Sequence, residues 1–229
     1  MADTWQDRFI AGGSNPRLGI RFDETGRFLP EHGNTIVAQV IPGSATEAAL
    51  VDLRASLMAL PHAADFAFTA VESYHMTVFE GVIETRREAG YWPQDLTLDL
   101  DIDTMTRAMA DKLEDFHAPP AFAMRLAEVT PNGLHLTGAT PQDEATVRLW
   151  RDRLADALGF RSPNHDSYGF HTTMTYQKRW PPASALPQYQ AALADLAAEF
   201  AAKIPVLHLA RPNFCRFADM NAFPPVLPL

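Results

Sequence analysis

Two histidine–threonine pairs occur in this sequence with the same internal spacing. His75 and Thr77 lie in the segment SYHMTVFEG, and His171 and Thr173 lie in GFHTTMTYQ. Because side chains alternate between the two faces of a β-strand, the histidine and the threonine of each pair point the same way. Imidazoles can accept and donate protons near neutrality, and hydroxyls can hydrogen-bond to developing negative charge. The four side chains could therefore open a phosphodiester by general acid–base catalysis.

The two pairs belong to a repeat with an offset of 96 residues. The same offset superposes Ser44 on Thr140, and both residue types are typical of a helix N-cap. Each histidine follows its cap by 31 residues, so the sequence predicts a strand–helix–strand unit used twice. If the units pack about an approximate two-fold axis, both pairs reach one central cleft.

A third H-x-T triplet, at residues 135–137, does not follow this pattern. The offset places His135 opposite Gln39, on the strand before the helix, and we interpret it as a structural or rim histidine. A lone triplet is more often a satisfied polar pair of a half-buried strand. The triplets at 75–77 and 171–173 share the offset of 96 residues, which favours a catalytic role for them.

Local patterns predict the elements that position these pairs. We expect helices after the caps Ser44 and Thr140, the second ended by Gly159, and two more at about 103–116 and 186–203. Strands are predicted at 35–41, 66–71, 73–79, 121–130 and 134–139 and within 205–217, with loops at 84–101 and 177–187.

Composition limits the function further. The 229 residues are 47% hydrophobic with a net charge of −9, and no apolar run reaches the ~18 residues of a membrane span. With no secretory pattern at the N-terminus and a single cysteine, Cys215, we expect a cytoplasmic monomer that binds no membrane and no long nucleic acid. A small anionic ligand in a cleft fits better. The candidate cations for it are Arg17, Arg21, Arg125, Lys178, Arg179, Arg211 and Arg216.

The segments HMTV at 75–78 and HTTM at 171–174 resemble the two H-x-T motifs of the two-histidine (2H) phosphoesterase superfamily. That superfamily includes RNA 2′,3′-cyclic phosphodiesterases once named 2′-5′ RNA ligases. The similarity extends over about 17–217, and SYHMTVFEGV, with RFDETGRFLPEHGNTIV upstream and YGFHTTMTY downstream, most resembles an uncharacterised branch. Thr172 stands where the family usually has a hydrophobic residue.

The resemblance implies a single α+β domain over 1–229 with two pseudo-symmetric lobes, each an antiparallel sheet flanked by helices, and a central cleft. The N-terminal lobe would cover about 17–118, the C-terminal lobe about 119–217, and a tail 218–229.

The resemblance also implies a metal-independent reaction, without a cofactor, on a cyclic or related phosphodiester of a nucleotide or RNA end. The catalytic residues would be His75, Thr77, His171 and Thr173, with His171 favoured as the base. Three aromatic residues are candidates for binding the substrate: Tyr168 and Tyr176 flank the second motif, and Phe79 is expected on the strand face of His75 and Thr77.

Other classes of function fit less well. A metal hydrolase lacks an H-E-x-x-H motif or paired cysteines. A cysteine phosphatase lacks its arginine, because Asn221 stands six residues after Cys215, which we expect in the core of the last strand. The remaining alternative is a non-catalytic protein that binds a nucleotide or an RNA end in the same cleft.

Overall fold

Apolar and β-branched segments form nine strands in three antiparallel sheets, in a computed structural model that describes residues 4–229. The strands are β1 (Gly33–Gln39), β2 (Phe66–Phe68), β3 (His75–Ile83), β4 (Met124–Thr130), β5 (Gly133–Gly138), β6 (Phe170–Thr173), β7 (Thr175–Gln177), β8 (Asn213–Phe217) and β9 (Pro225–Pro228). The first sheet has the order β3-β1-β8-β9, the second has the order β4-β5-β6, and β2 pairs with β7. This is the predicted α+β class.

The helices largely follow the predicted caps. They are α1 (Trp5–Ala11), α2 (Ala45–Met58), α3 (Ile102–Leu113), α4 (Pro141–Leu158) and α5 (Leu186–Lys203). The Ser44 hydroxyl accepts a hydrogen bond from the Glu47 amide at the start of α2, and the Thr140 hydroxyl accepts one from the Asp143 amide at the start of α4. Gly159 ends α4 in the left-handed conformation, at φ 76°. Helix α1 has no counterpart among the helices predicted from the sequence.

The repeat is preserved in the pairing of the strands. In each of the two larger sheets, the histidine and the threonine of the motif pair with residues two apart on the neighbouring strand. Those partners differ by the same 96 positions as the motifs. The pairs are His75 with Gln39 and Thr77 with Val37 in the first sheet, and His171 with His135 and Thr173 with Gly133 in the second.

Strand β3 has one residue more than its partner at Val78. Ile36 of β1 pairs with Phe79, whereas the next residue, Val37, pairs with Thr77, so Val78 has no partner on β1. Such a β-bulge bends the strand and changes the phase at which side chains alternate. The face that each later residue of β3 occupies is therefore shifted by one position.

The bulge places Phe79 in the core. Phe79 is 1% exposed, and its ring packs edge-on against that of Phe160 at a centroid distance of 5.2 Å. The prediction that Phe79 shares the face of His75 and Thr77 is therefore wrong, because simple alternation fails at a bulge. Glu80 takes that face instead.

The C-terminal segment completes the first sheet. β8 pairs with β1, and β9 pairs with β8, so residues 213–228 extend the sheet that carries the first motif. The sheets thus cross the boundaries predicted for the lobes and the tail. Cys215 is fully buried on β8, as expected of a core residue, although β9 and not β8 is the last strand.

Two apolar clusters cover the faces of the first sheet. On one face Ile36 and Met76 belong to the large core, which also includes residues of all five helices. On the other face, Val37 and Cys215 belong to a smaller cluster with Phe22. The long loop before β1 thus packs on the sheet.

A second irregularity of β3 lies at Gly81, next to Asn34. The buried Asn34 side chain accepts a hydrogen bond from the Val82 amide at 3.1 Å and donates one to the Thr106 hydroxyl at 3.0 Å. A Cβ atom at Gly81 would overlap both oxygens of Asn34. Glycine is therefore required for this close approach.

We predict that Gly81→Ala lowers the free energy of unfolding by about 1–3 kcal/mol, because the added methyl group forces β3 away from Asn34. The measurement is urea unfolding followed by circular dichroism. Gly169→Ala is the matched control, since no atom lies within 4 Å of its added Cβ. Equal losses in the two variants would contradict the packing argument.

Candidate active site

A cavity of about 280 Å³ lies where β3 and β6 meet, and both halves of the chain contribute to its walls. His75 and Thr77 line it from β3, and His171 and Thr173 line it from β6. The structure thus brings together the four side chains that the sequence singled out. Two imidazoles and two hydroxyls face one volume of the size of a small ligand site.

Each histidine is oriented by a backbone carbonyl two residues earlier. His75 Nδ1 lies 2.6 Å from the carbonyl oxygen of Ser73, and His171 Nδ1 lies 2.9 Å from that of Gly169. A carbonyl oxygen only accepts hydrogen bonds, so Nδ1 carries the proton in both rings. Nε2 is then left for the ligand, as a base in a neutral ring and as an acid in a protonated one.

The two imidazoles differ in electrostatic environment. The pKa of His75 is lowered to about 4, mainly by burial and to a smaller extent by the positive charge of His171, against the effect of the bond to Ser73. Burial is also the main cause of the lowered pKa of His171, with a smaller contribution from the charge of His135, against the bond to Gly169 and the carboxylate of Glu80. Burial thus favours the neutral form of both rings, and only His171 has a nearby carboxylate, that of Glu80, which favours its protonated form.

The C-terminal segment forms part of the cavity wall. The ring of Phe223 lies 4.2 Å from that of His75, and Met220 lines the same cavity. The Phe223 carbonyl accepts a hydrogen bond from Gln39 at 3.0 Å, which attaches this segment to β1. The residues predicted as a tail thus shield one side of His75, which contributes to its burial.

Tyr168 and Tyr176, the two tyrosines predicted to bind the substrate, both line the cavity. Tyr168 is buried, and burial is the main cause of its raised pKa, while a hydrogen bond with the Thr77 side chain lowers that pKa. The ring of Tyr176 packs on Phe22 at 5.7 Å, and the Arg21 guanidinium lies 5.4 Å from its centroid. Stacking of either ring on a base stays a prediction.

Arg151 of α4 connects the bulge to the site and was not foreseen. This residue is 1% exposed, and its Nη1 donates a hydrogen bond of 2.7 Å to the carbonyl of Val78. Its guanidinium also lies 4.0 Å from the ring centroid of Tyr168. The sequence did carry a signal, because Arg151 follows Val147 by four residues and Trp150 by one, on the apolar side of the helix.

Glu80 and Arg86 are further cavity residues that sequence reasoning missed, whereas Arg21 was among the candidate cations. The other candidate cations do not line this cavity. Arg17 pairs with Glu31, Lys178 donates to the Glu24 carbonyl, Arg179 pairs with Asp65, and Arg125, Arg211 and Arg216 are exposed.

Two residues considered for other chemistry lie outside the cavity. His135 has a side chain 51% exposed and 3.3 Å from Glu128, in agreement with its interpretation as a rim residue. Burial raises the pKa of the Cys215 thiol to about 12, so it is not a thiolate nucleophile. Within residues 4–229, no three His, Cys, Asp or Glu side chains are grouped so as to hold a metal ion.

The comparisons with known proteins identify the family of the chain. Residues 21–135 match the family model 2H-phosphodiest, which is described as a domain of unknown function (DUF1868). This match spans half of the chain, and the chain belongs to that family.

A solved structure supports the fold over nearly its whole length. It is a conserved protein of unknown function from Agrobacterium tumefaciens strain C58, with 44% sequence identity and a TM-score of 0.93. The match covers 94% of this chain and 93% of that one. No curated protein is significantly similar to the chain. In the described residues, no helix is both long and apolar enough to span a bilayer.

We predict that Arg151→Met lowers the free energy of unfolding by about 1–3 kcal/mol, because it leaves the buried carbonyl of Val78 without a donor. Near-ultraviolet circular dichroism should also change, since Tyr168 loses the guanidinium that packs on its ring. Arg153→Met, on the exposed side of α4, is the control. An unchanged stability of the Arg151 variant would show that the bulge needs no donor from α4.

Proposed function

We propose that this protein hydrolyses a cyclic phosphodiester of the 2′,3′ type, or a related phosphodiester of a nucleotide or RNA end, without a metal. One observation carries the proposal: two imidazoles, each with Nδ1 bonded to a carbonyl, share a small cavity with two threonine hydroxyls. Family membership supports the class of reaction. We place it in the cytoplasm, because a single cysteine, which cannot form an internal disulfide, fits a reducing compartment.

In the proposed mechanism, His75 is the general base and His171 the general acid. Nε2 of neutral His75 takes a proton from water, whose oxygen forms a bond to phosphorus. The P–O bond to the ribose oxygen breaks, and Nε2–H of His171 protonates the leaving alkoxide. A phosphomonoester and a free hydroxyl result. The sequence favours His171 as the base, and this assignment reverses that preference. The reason is burial, which favours the neutral form of His75 and cannot be read from the motif.

The threonines stabilise the charge that develops on phosphorus. The hydroxyls of Thr77 and Thr173 donate hydrogen bonds to the non-bridging oxygens, which become more negative in the transition state. Tyr168, beside Thr77, orients that hydroxyl. These contacts strengthen as the reaction proceeds, so they lower the barrier and not only the KM.

The charge of the cavity fits a small anion better than a long polymer. The chain has a net charge of −9, yet Arg21 and Arg86 line the cavity and provide local positive charge. A volume of about 280 Å³ accommodates one nucleotide unit and not a duplex. A nucleotide or the terminal unit of an RNA is therefore the proposed substrate.

We predict that the purified protein, in EDTA, opens 2′,3′-cyclic nucleotides or an RNA that ends in a cyclic phosphate. His75→Ala and His171→Ala should each lower kcat about 10²–10⁴-fold, because each removes one proton transfer. Chromatography of the products measures turnover and identifies the 2′- or the 3′-phosphate. His135→Ala is the matched control, since this third histidine lies at the rim.

Activity that survives both substitutions would contradict the two-histidine mechanism. Binding of the nucleotides without turnover would instead establish the alternative, a protein that holds a nucleotide or RNA end in this cavity.

The pH dependence should reflect the two imidazoles. The base must be deprotonated, so kcat/KM should rise with pH through the pKa of His75, near 4. The acid must be protonated, so kcat/KM should fall as pH rises through the pKa of His171, which lies below its ordinary value of 6.5. We therefore expect a bell-shaped profile with its maximum on the acid side of neutrality. A maximum above pH 7.5 would exclude this pair of roles.

A further inference from the structure

One part of the cavity wall carries two arginines that the proposed reaction does not use. Arg21 comes from the loop before β1, and Arg86 follows the end of β3. The guanidinium of Arg86 lies 3.7 Å from the ring centroid of Tyr91, and that of Arg21 lies 5.4 Å from the ring centroid of Tyr176. Packing against aromatic rings fixes the plane of each guanidinium before a ligand arrives.

Both guanidinium groups have donors to spare. Arg21 hydrogen-bonds through Nε to Glu31 at 2.6 Å, and Arg86 contacts Glu80 through Nη1 at 3.4 Å. Arg86 Nε and Nη2 are buried and have no hydrogen-bond partner in the described part of the chain, and the same holds for Oε2 of the neighbouring Glu80. The two Arg86 atoms form one edge of the guanidinium, the edge that binds two oxygens of a phosphate or carboxylate side by side. Buried donors without partners are rare in native proteins, so a ligand group is expected here.

The local charge favours an anion. Burial is the main cause of the lowered pKa of Arg17, and the positive charges of Arg21 and Arg86 also lower it. Arg17 therefore lies near both arginines. Glu31 is fully buried and pairs with Arg17 and Arg21, while Glu80 pairs with Arg86. Three guanidinium groups against two carboxylates leave one excess positive charge, in a chain whose net charge is −9. This excess lies at the same cavity as the histidines.

We propose that Arg21 and Arg86 bind a second phosphate of the substrate, separate from the one between His75 and His171. Since one small cavity holds both sets of residues, both phosphates belong to one molecule. The ligand is then a nucleotide with a phosphate at its other end, either a terminal 5′-phosphate or the next linkage of an RNA. The inference rests on the proposed function for the position of the first phosphate only.

Calorimetric titration tests the site without requiring turnover. Adenosine 3′,5′-bisphosphate and adenosine 3′-phosphate differ only in the 5′-phosphate, and we expect the bisphosphate to bind the native protein about tenfold more tightly. Arg86→Met and Arg21→Met should each bring this ratio close to one. Arg125→Met, which removes an exposed positive charge on β4, should preserve it. In the 3′-phosphorylated dinucleotide ApA, an internucleotide linkage stands in place of the terminal 5′-phosphate. Comparing its affinity with that of the bisphosphate distinguishes an RNA linkage from a terminal phosphate as the second phosphate.

Two further variants test whether misfolding or a general effect of charge explains the loss of affinity. Arg86→Lys retains the charge but lacks the two-donor edge, so it should keep only part of the ratio. Glu80→Gln removes a nearby negative charge and should tighten binding of the bisphosphate. Circular dichroism verifies the fold of each variant.

Equal affinity of the native protein for the two adenosine ligands, or no binding of either at millimolar concentration, would overturn the proposal. So would a ratio that Arg86→Met and Arg21→Met leave unchanged. A normal ratio together with no turnover of cyclic phosphodiesters would support the second phosphate site and overturn the proposed hydrolysis instead.

Discussion

The hydrogen bond between the buried guanidinium of Arg151 and the carbonyl of Val78 determines how β3 presents its side chains. Val78 is the residue that β3 has in excess over β1, and its carbonyl needs a donor from elsewhere because buried carbonyls are rarely left unpaired. Arg151 supplies that donor at the cost of burying a charge, which the ring of Tyr168 partly offsets. Beyond the bulge the strand changes phase, and Glu80 joins His75 and Thr77 on the cavity side. The position of the carboxylate near His171 follows from the bulge, and the contact with Arg151 satisfies the carbonyl that the bulge leaves unpaired.

The parts of the fold that depend on local spacing could be predicted from the sequence. Helix caps require a particular residue type at one position, so Ser44 and Thr140 marked the starts of α2 and α4. The offset of 96 residues then placed the two motifs in equivalent environments, and the strand pairing preserves that equivalence down to the partners of each histidine. Alternation along a strand was sufficient to place His75 and Thr77 together because the bulge begins only after them.

The remaining features depend on contacts between distant segments. Phe79 was assigned to the wrong face because alternation was extended through the bulge, although two consecutive apolar residues followed by Glu80 were a sign of the change. The segment after residue 217 was separated as a tail, yet its Phe223 packs on His75. The roles proposed for the two histidines rest on this burial and on Glu80, and neither can be derived from the spacing of the motifs.

The position of β8 between β1 and β9 also determines when the site can exist during synthesis. β1 and β3 are made early, but the other edge of β1 stays unpaired until residues 213–217 emerge from the ribosome. The contact between Gln39 and Phe223 closes a loop of 184 residues, a separation that delays folding. Over that interval the nascent chain has an open strand edge, which favours wrong pairing with other chains. The cavity is thus completed last, and a prematurely terminated chain has an incomplete cavity and an open strand edge that favours aggregation.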